Sequence, residues 1–175
     1  MTFTATELPG AYVIDLDRKV DERGFFARTF CTKEFAAHGL NPDIKQANLS
    51  FNLKKGTLRG MHYQLPPKAE TKVVRSTRGG IFDVIIDLRP SSPTYRRHIA
   101  VELTADTRRA LYIPEGFAHG FQTLEDATEV EYLMGEFFAP GFDAGLRYDD
   151  PAFAIRWPQP VSVISERDLA WGTLA

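Results

Sequence analysis

Short runs rich in Val, Ile, Phe and Tyr recur along the chain, each cut off by Gly, Pro, Asp or Asn. Runs of that length and composition predict strands, and their close succession predicts an all-β sandwich or barrel. The expected strands lie near 11–16, 25–30, 45–51, 57–64, 71–77, 80–88, 97–103, 110–113, 118–123, 128–137 and 146–149. Side chains alternate across a strand, so in 80–88 Phe82, Val84, Ile86 and Leu88 point one way, while Asp83 and Asp87 share the other face with Ile85. One short helix is expected at 32–38, ending at Gly39, and a second near 165–170 with Ser165 as its cap. No repeat, low-complexity tract or linker-like shift interrupts the pattern, so residues 1–175 read as one domain.

Several polar residues sit where a merely packed sandwich would not place them. In 58–64, Leu58, Gly60, His62 and Gln64 share one face, and Arg59, Met61 and Tyr63 the other. Lys72, Val74 and Ser76 share a face, as do Val130, Tyr132 and Met134. A small β-barrel can hold a ligand in its mouth, ringed by such groups. Each residue also has a plain reading. His62 and His119 can be satisfied strand histidines, and Lys72 can lie on a solvated outer face. Tyr132 fits an amphipathic core position, and Asp168 fits a box opened by Ser165. Arg23 and Arg59 can be surface arginines or bidentate grips on a diphosphate. Asp83 and Asp87 need partners if they are buried.

Composition narrows the classes. The chain is 43% hydrophobic with a formal charge of −2, which fits a globular fold and argues against a nucleic-acid groove or a membrane-adhering surface. Cys31 is the single cysteine, so no intrachain disulfide forms. The N-terminus lacks a basic region followed by an apolar run, and no apolar stretch approaches the roughly 20 residues that span a bilayer. The expected location is the cytoplasm. No phosphate-binding glycine loop and no serine nucleophile elbow appear. A metal-dependent cupin is the obvious rival for a histidine-bearing barrel. Its ligands often stand one residue apart on a strand, and here that stretch reads His62-Tyr63-Gln64. With four histidines in the chain, no catalytic metal is expected.

The segments Asp21-Glu-Arg-Gly-Phe-Phe26, Gln46-Ala-Asn-Leu-Ser50, Gly56-Thr-Leu-Arg-Gly-Met-His-Tyr-Gln64 and Lys72-Val-Val-Arg75 are followed by Phe82-Asp-Val-Ile-Ile-Asp-Leu-Arg89, Ile113-Pro-Glu-Gly-Phe-Ala-His-Gly-Phe121, Ile155-Arg-Trp-Pro158 and Ser165-Glu-Arg-Asp168. Together, and in this order, they resemble the dTDP-4-dehydrorhamnose 3,5-epimerase family over roughly residues 10–170. The resemblance implies a cupin-like jelly-roll barrel with a few short flanking helices, a homodimer with strand exchange, and no cofactor. It implies a nucleoside-diphosphate 4-keto-6-deoxyhexose as substrate, most simply dTDP-4-dehydro-6-deoxy-D-glucose, inverted at C3 and/or C5 by enolisation. It makes His62 the base, Asp168 its orienting carboxylate, Lys72 the group facing the enolate and Tyr132 the acid on the opposite face. His119 and Asp83 then support this cluster. Arg23, acting across the dimer, contacts the nucleotide together with Gln46, Asn48 and Arg59, and Phe26 and Phe137 complete the substrate-binding set. Arg28, Phe137 and Arg167 depart from the family's commonest pattern, where Glu, Tyr and Lys respectively are frequent. A 3-only or 5-only epimerase acting on another nucleotide sugar, and a non-catalytic sugar-nucleotide-binding relative, are the alternatives.

Overall fold

The computed structural model describes residues 1–174. The strands are β1 (Thr2–Ala5), β2 (Tyr12–Asp15), β3 (Lys19–Asp21), β4 (Gly24–Phe26), β5 (Gln46–Asn52), β6 (Leu58–Gln64), β7 (Lys72–Arg78), β8 (Gly80–Asp87), β9 (His98–Thr104), β10 (Ala110–Ile113), β11 (Phe117–Thr123), β12 (Thr128–Met134) and β13 (Asp143–Gly145). The helices are α1 (Thr32–Ala37) and α2 (Glu166–Leu169). Antiparallel pairing builds a six-stranded sheet in the order β1-β2-β10-β7-β12-β5 and a five-stranded sheet in the order β13-β6-β11-β8-β9. This is the all-β architecture that the pattern of short apolar runs predicts, and its two sheets are those of the cupin-like barrel that the resemblance implies.

The alternation in β8 explains how the sheets stack. Ile81 and Ile85 enter the central core with Val74, Leu103, Leu111, Ile113, Phe117, Phe121 and Val130, residues drawn from both sheets. Val84 and Ile86 face outward into a second cluster with Met61, Ala118, Leu146 and Phe153. A third cluster seats α1 on the outer face of the six-stranded sheet, where Phe35 meets Ile14, Val73 and Tyr112. Six residues are too few to hold a helix by themselves, so the burial of Phe35 fixes α1; truncating such a side chain typically costs about 3–5 kcal/mol. Ser165 caps α2 as expected, its Oγ accepting from the Asp168 amide at 3.0 Å. Among the described residues, no helix is long and apolar enough to cross a membrane.

Three strand expectations need correction. The run at 25–30 is not one strand. The chain turns at Asp21-Glu22-Arg23-Gly24, pairs β3 with β4 as a separate hairpin, and leaves the sheet after Phe26. The expected strand at 128–137 stops at Met134, where the Gly135 amide donates to the carbonyl of Thr71. The strand placed at 146–149 lies earlier, at β13, and pairs Asp143, Ala144 and Gly145 with Gln64, Tyr63 and His62. The strand Thr2–Ala5, for which no expectation was made, pairs with β2.

Candidate active site

Between the two sheets opens a pocket of about 330 Å³, within the range of small-molecule sites. Strict alternation would put Arg59 and His62 on opposite faces of β6. The structure places both in the pocket lining. The reason is a bulge: Arg59 pairs with Phe121 and His62 with His119, so β6 carries one more residue than β11 between those pairs. The extra residue inverts the alternation and sends Met61 to the outer cluster. Glycine permits the close approach of the two strands here, because a Cβ on Gly60 would lie 2.5 Å from the Cα of Gly120.

His62 Nε2 lies 2.6 Å from Asp168 Oδ1. An ionised carboxylate only accepts, so Nε2 carries the proton and Nδ1 is left with its lone pair. Nδ1 has no hydrogen-bond partner among the described residues. Asp168 is buried, which on its own would raise its carboxyl. Hydrogen bonds from His62, from the Gly60 amide at 3.3 Å and from Ser165 outweigh that and hold it below the usual carboxylate range. The capping and catalytic readings of Asp168 are therefore compatible: its amide serves the helix cap and its carboxylate serves His62. Trp171 packs edge-on to the imidazole at 6.5 Å. It lies flat against Gly145, where no Cβ fits.

Lys72 enters from the six-stranded sheet and is buried. Its Nζ donates to the backbone carbonyl of His62 at 3.1 Å and forms an ion pair with Glu70 Oε1 at 3.1 Å. Tyr132 stands on the neighbouring β12, and its hydroxyl meets Ser50 Oγ at 3.1 Å. Burial pushes the phenol well above its usual value, against the opposing pull of Ser50, so it stays protonated at neutral pH. Below these groups His119 Nε2 meets Asp83 Oδ1 at 2.7 Å, both buried, and the His119 ring meets Tyr132 edge-on at 6.4 Å. Arg59 Nε donates to Asn52 Oδ1 at 2.7 Å, and Gln46 Nε2 to Asn48 Oδ1 at 3.2 Å, at the same pocket.

The structure thus brings His62, Lys72, Tyr132, His119, Arg59, Gln46 and Asn48 to one cavity, with Asp168 and Asp83 behind two of them. It does not bring Arg23 or Phe26 there. Both stand on the exposed β3–β4 hairpin, where Arg23 pairs with Asp21 at 2.5 Å. Phe137 also lies outside the lining, and its neighbour Phe138 takes that place. Gln64 is buried and acts as a clamp: it donates to the carbonyls of Lys68 and Phe137 and accepts from the Ala139 amide. Ser50, Glu70 and Trp171 were not anticipated. Ser50 could have been, since Gln46, Asn48 and Ser50 share the period of a strand face. Glu70 precedes β7, where no periodicity reports its direction. Among the described residues, no group of three or more His, Cys, Asp and Glu side chains is placed to hold a metal ion.

Residues 5–175 match the family model described as dTDP-4-dehydrorhamnose 3,5-epimerase. The dTDP-4-dehydrorhamnose 3,5-epimerase of Methanothermobacter thermautotrophicus is 42% identical over 175 residues, covering 98% of this chain and 94% of its own. The crystal structure of the Bacillus anthracis dTDP-4-dehydrorhamnose 3,5-epimerase, with TDP and PPi bound, superposes with a TM-score of 0.95 at 36% identity and covers 99% of both chains. That of the dTDP-6-deoxy-D-glucose-3,5-epimerase of Legionella pneumophila, in complex with dTDP-4-keto-L-rhamnose, gives 0.92 at 33% identity, over 98% of this chain and 92% of that one.

Proposed function

The chain belongs to the dTDP-4-dehydrorhamnose 3,5-epimerase family, and from that premise we propose that it converts dTDP-4-dehydro-6-deoxy-D-glucose to dTDP-4-dehydro-L-rhamnose by inverting C3 and C5 through an enolate. One observation carries the reading. His62 and Tyr132 line the same cavity from opposite sheets, and the Lys72 ammonium, which also lines it, donates to the backbone carbonyl of His62.

The C4 ketone acidifies the hydrogens on C3 and C5, yet they remain weak acids. Removing one requires a base together with stabilisation of the negative charge growing on the carbonyl oxygen. His62 Nδ1 takes the proton, and the Asp168 carboxylate stabilises the imidazolium that results. Lys72 supports the oxyanion. Because its ammonium is tied to the backbone carbonyl of His62, base and oxyanion partner keep a fixed separation. Inversion needs the new proton delivered to the other face of the ring. The phenol of Tyr132, kept protonated by burial, supplies it from the facing sheet. Arg59, Gln46 and Asn48 hold the nucleotide diphosphate.

Arg23 and Phe26 join this account through a partner subunit. The hairpin exposes Val20 and Phe26, and β5, the edge strand of the six-stranded sheet, exposes Leu49 and Phe51. A bare apolar edge invites pairing. In the homodimer we propose, strands are exchanged and the hairpin of one subunit reaches the pocket of the other. The single free cysteine and the nucleotide-linked substrate suit the cytoplasm. Incubation with dTDP-4-keto-6-deoxyglucose in deuterated water tests the reaction. NMR should show deuterium and inversion at both C3 and C5; a protein that exchanges neither position is not this epimerase.

A further inference from the structure

Lys72 is an ammonium placed inside a barrel, where an uncompensated charge is costly. The other acids at or behind the pocket have their own partners: Asp143 is held by Arg167, Asp168 by His62 and Asp83 by His119. Glu136, nearby, pairs with Lys68 at 3.6 Å. Glu70 is the carboxylate at Lys72, 3.1 Å from Nζ, and both side chains are more than nine-tenths buried.

An ammonium has three donors. One goes to the His62 carbonyl, and the Glu70 carboxylate holds the ammonium from a second side as an ion pair. The third remains for the cavity that both residues line. Without Glu70, the four-carbon stem of Lys72 is anchored at its tip by one hydrogen bond alone and can rotate about it. The loop bearing Glu70 is itself fixed. Gln64 binds the carbonyl of Lys68 on one side and the 137–139 segment on the other. Leu65 and Lys68 close a turn within the loop.

We propose that Glu70 is a positioning residue, whose carboxylate oxygen aims the third N–H of Lys72 at the ketone oxygen of the bound sugar. The role is orientation of the ammonium: an amide oxygen in the same place keeps that contact but not the opposite charge, so it restores most of the rate while the fold loses stability. It acts on the transition state, where the oxyanion forms, and leaves the grip on the nucleotide alone.

This inference rests on the epimerase reading, and the test separates the two. Wild type, E70A, E70L and E70Q are assayed with dTDP-4-keto-6-deoxyglucose for turnover and for solvent deuterium uptake. dTDP affinity and thermal midpoint report on folding, and E70L retains the bulk of the side chain should E70A not fold. The expected result is a fall in kcat on the order of 10- to 100-fold in E70A and E70L, with KM and dTDP affinity within about threefold of wild type, and recovery to within about fivefold in E70Q. Wild type without deuterium uptake overturns the reaction assignment. If wild type exchanges, the Glu70 role is overturned by a folded E70A or E70L with wild-type kcat. It is equally overturned by an E70Q as slow as E70L, or by a loss confined to KM.

Discussion

Replacing Asp168 by Asn tests the dyad with almost no change of shape. In wild type the carboxylate 2.6 Å from Nε2 accepts a hydrogen bond, which leaves Nδ1 free to act as base. An Asn side chain can turn its amide N–H toward Nε2. That makes Nε2 the acceptor and moves the ring proton to Nδ1, the nitrogen that must take the substrate's proton. General base catalysis contributes about 10²–10⁴-fold, and a wrong tautomer places the loss in the upper part of that range, about 10³–10⁴ in kcat/KM. This corresponds to about 4–5 kcal/mol of lost transition-state stabilisation. His62 is 41% exposed, so solvent screens its share of the pair and the fold itself should lose little. Acid conditions do not mimic the variant. The Asp168 carboxyl is held below its ordinary range in the folded chain, so its charge contributes at every pH above that range and is lost only as pH falls through the lowered value. The Asp168 carboxylate therefore keeps its charge through neutral and mildly acidic pH. Steady-state kinetics with the 4-keto sugar, calorimetric titration of dTDP and a thermal melt decide the matter. A folded D168N that binds dTDP and keeps kcat/KM within tenfold of wild type would refute the orientation argument.

Tyr132→Phe removes the facing acid while keeping the ring that packs on His119 and Phe121, so NMR in deuterated water should show inversion slowed by about 10²-fold with proton exchange much less affected; equal losses in both would argue against delivery from that face. Asp87→Asn should destabilise the fold by about 3 kcal/mol in chemical denaturation at neutral pH, because it breaks the buried grip of Arg89, Ser92 and Thr94 on the carboxylate. Those bonds hold the Asp87 carboxyl well below its ordinary value in spite of burial, so the stability they supply is present above pH 4 and the gap between the two proteins should close only as pH falls below it. Mixing Arg23→Ala with His62→Ala protein should restore about one quarter of wild-type activity if Arg23 serves the partner's pocket, since half the random dimers then hold one intact site. Mixtures as inactive as their parents would place Arg23 in its own subunit.

The barrel was legible because its signal is periodic and repeated. Alternation in β8 set Ile85 on one face and Val84 with Ile86 on the other, and the structure divides them so between the central and the outer cluster. What failed were places where the period breaks. The bulge in β6 depends on how closely Gly60 and Gly120 approach, a relation between strands roughly sixty positions apart, so alternation alone put Arg59 on the wrong face. The β3–β4 hairpin read as part of a longer strand because Phe25, Phe26 and Phe30 are apolar, and an apolar run does not report that the chain turns at Arg23-Gly24 and leaves Phe26 exposed. The residues of the pocket came mainly through the family resemblance. Pattern alone assigned Lys72 to solvent and Tyr132 to plain packing, since periodicity reports which face a side chain takes but not what waits there.

The two-sheet architecture bears directly on the chemistry. Inverting a carbon centre requires a proton to leave by one face and arrive by the other, and no single side chain reaches both faces of a bound ring. Here the five-stranded sheet carries His62 and the six-stranded sheet carries Tyr132, so the distance between the sheets sets the separation of the proposed base and acid. Lys72 crosses that gap, rising from the six-stranded sheet to bond the backbone of His62 on the other. A change that shifts one sheet against the other should therefore impair inversion before it impairs nucleotide binding. Gln46 and Asn48 share the sheet of Tyr132, whereas Arg59 shares the sheet of His62, so the proposed diphosphate grip straddles the same gap. Proton transfer tolerates far less displacement than a charged grip does, which makes the ratio of inversion to binding the sensitive measure of how well this barrel is packed.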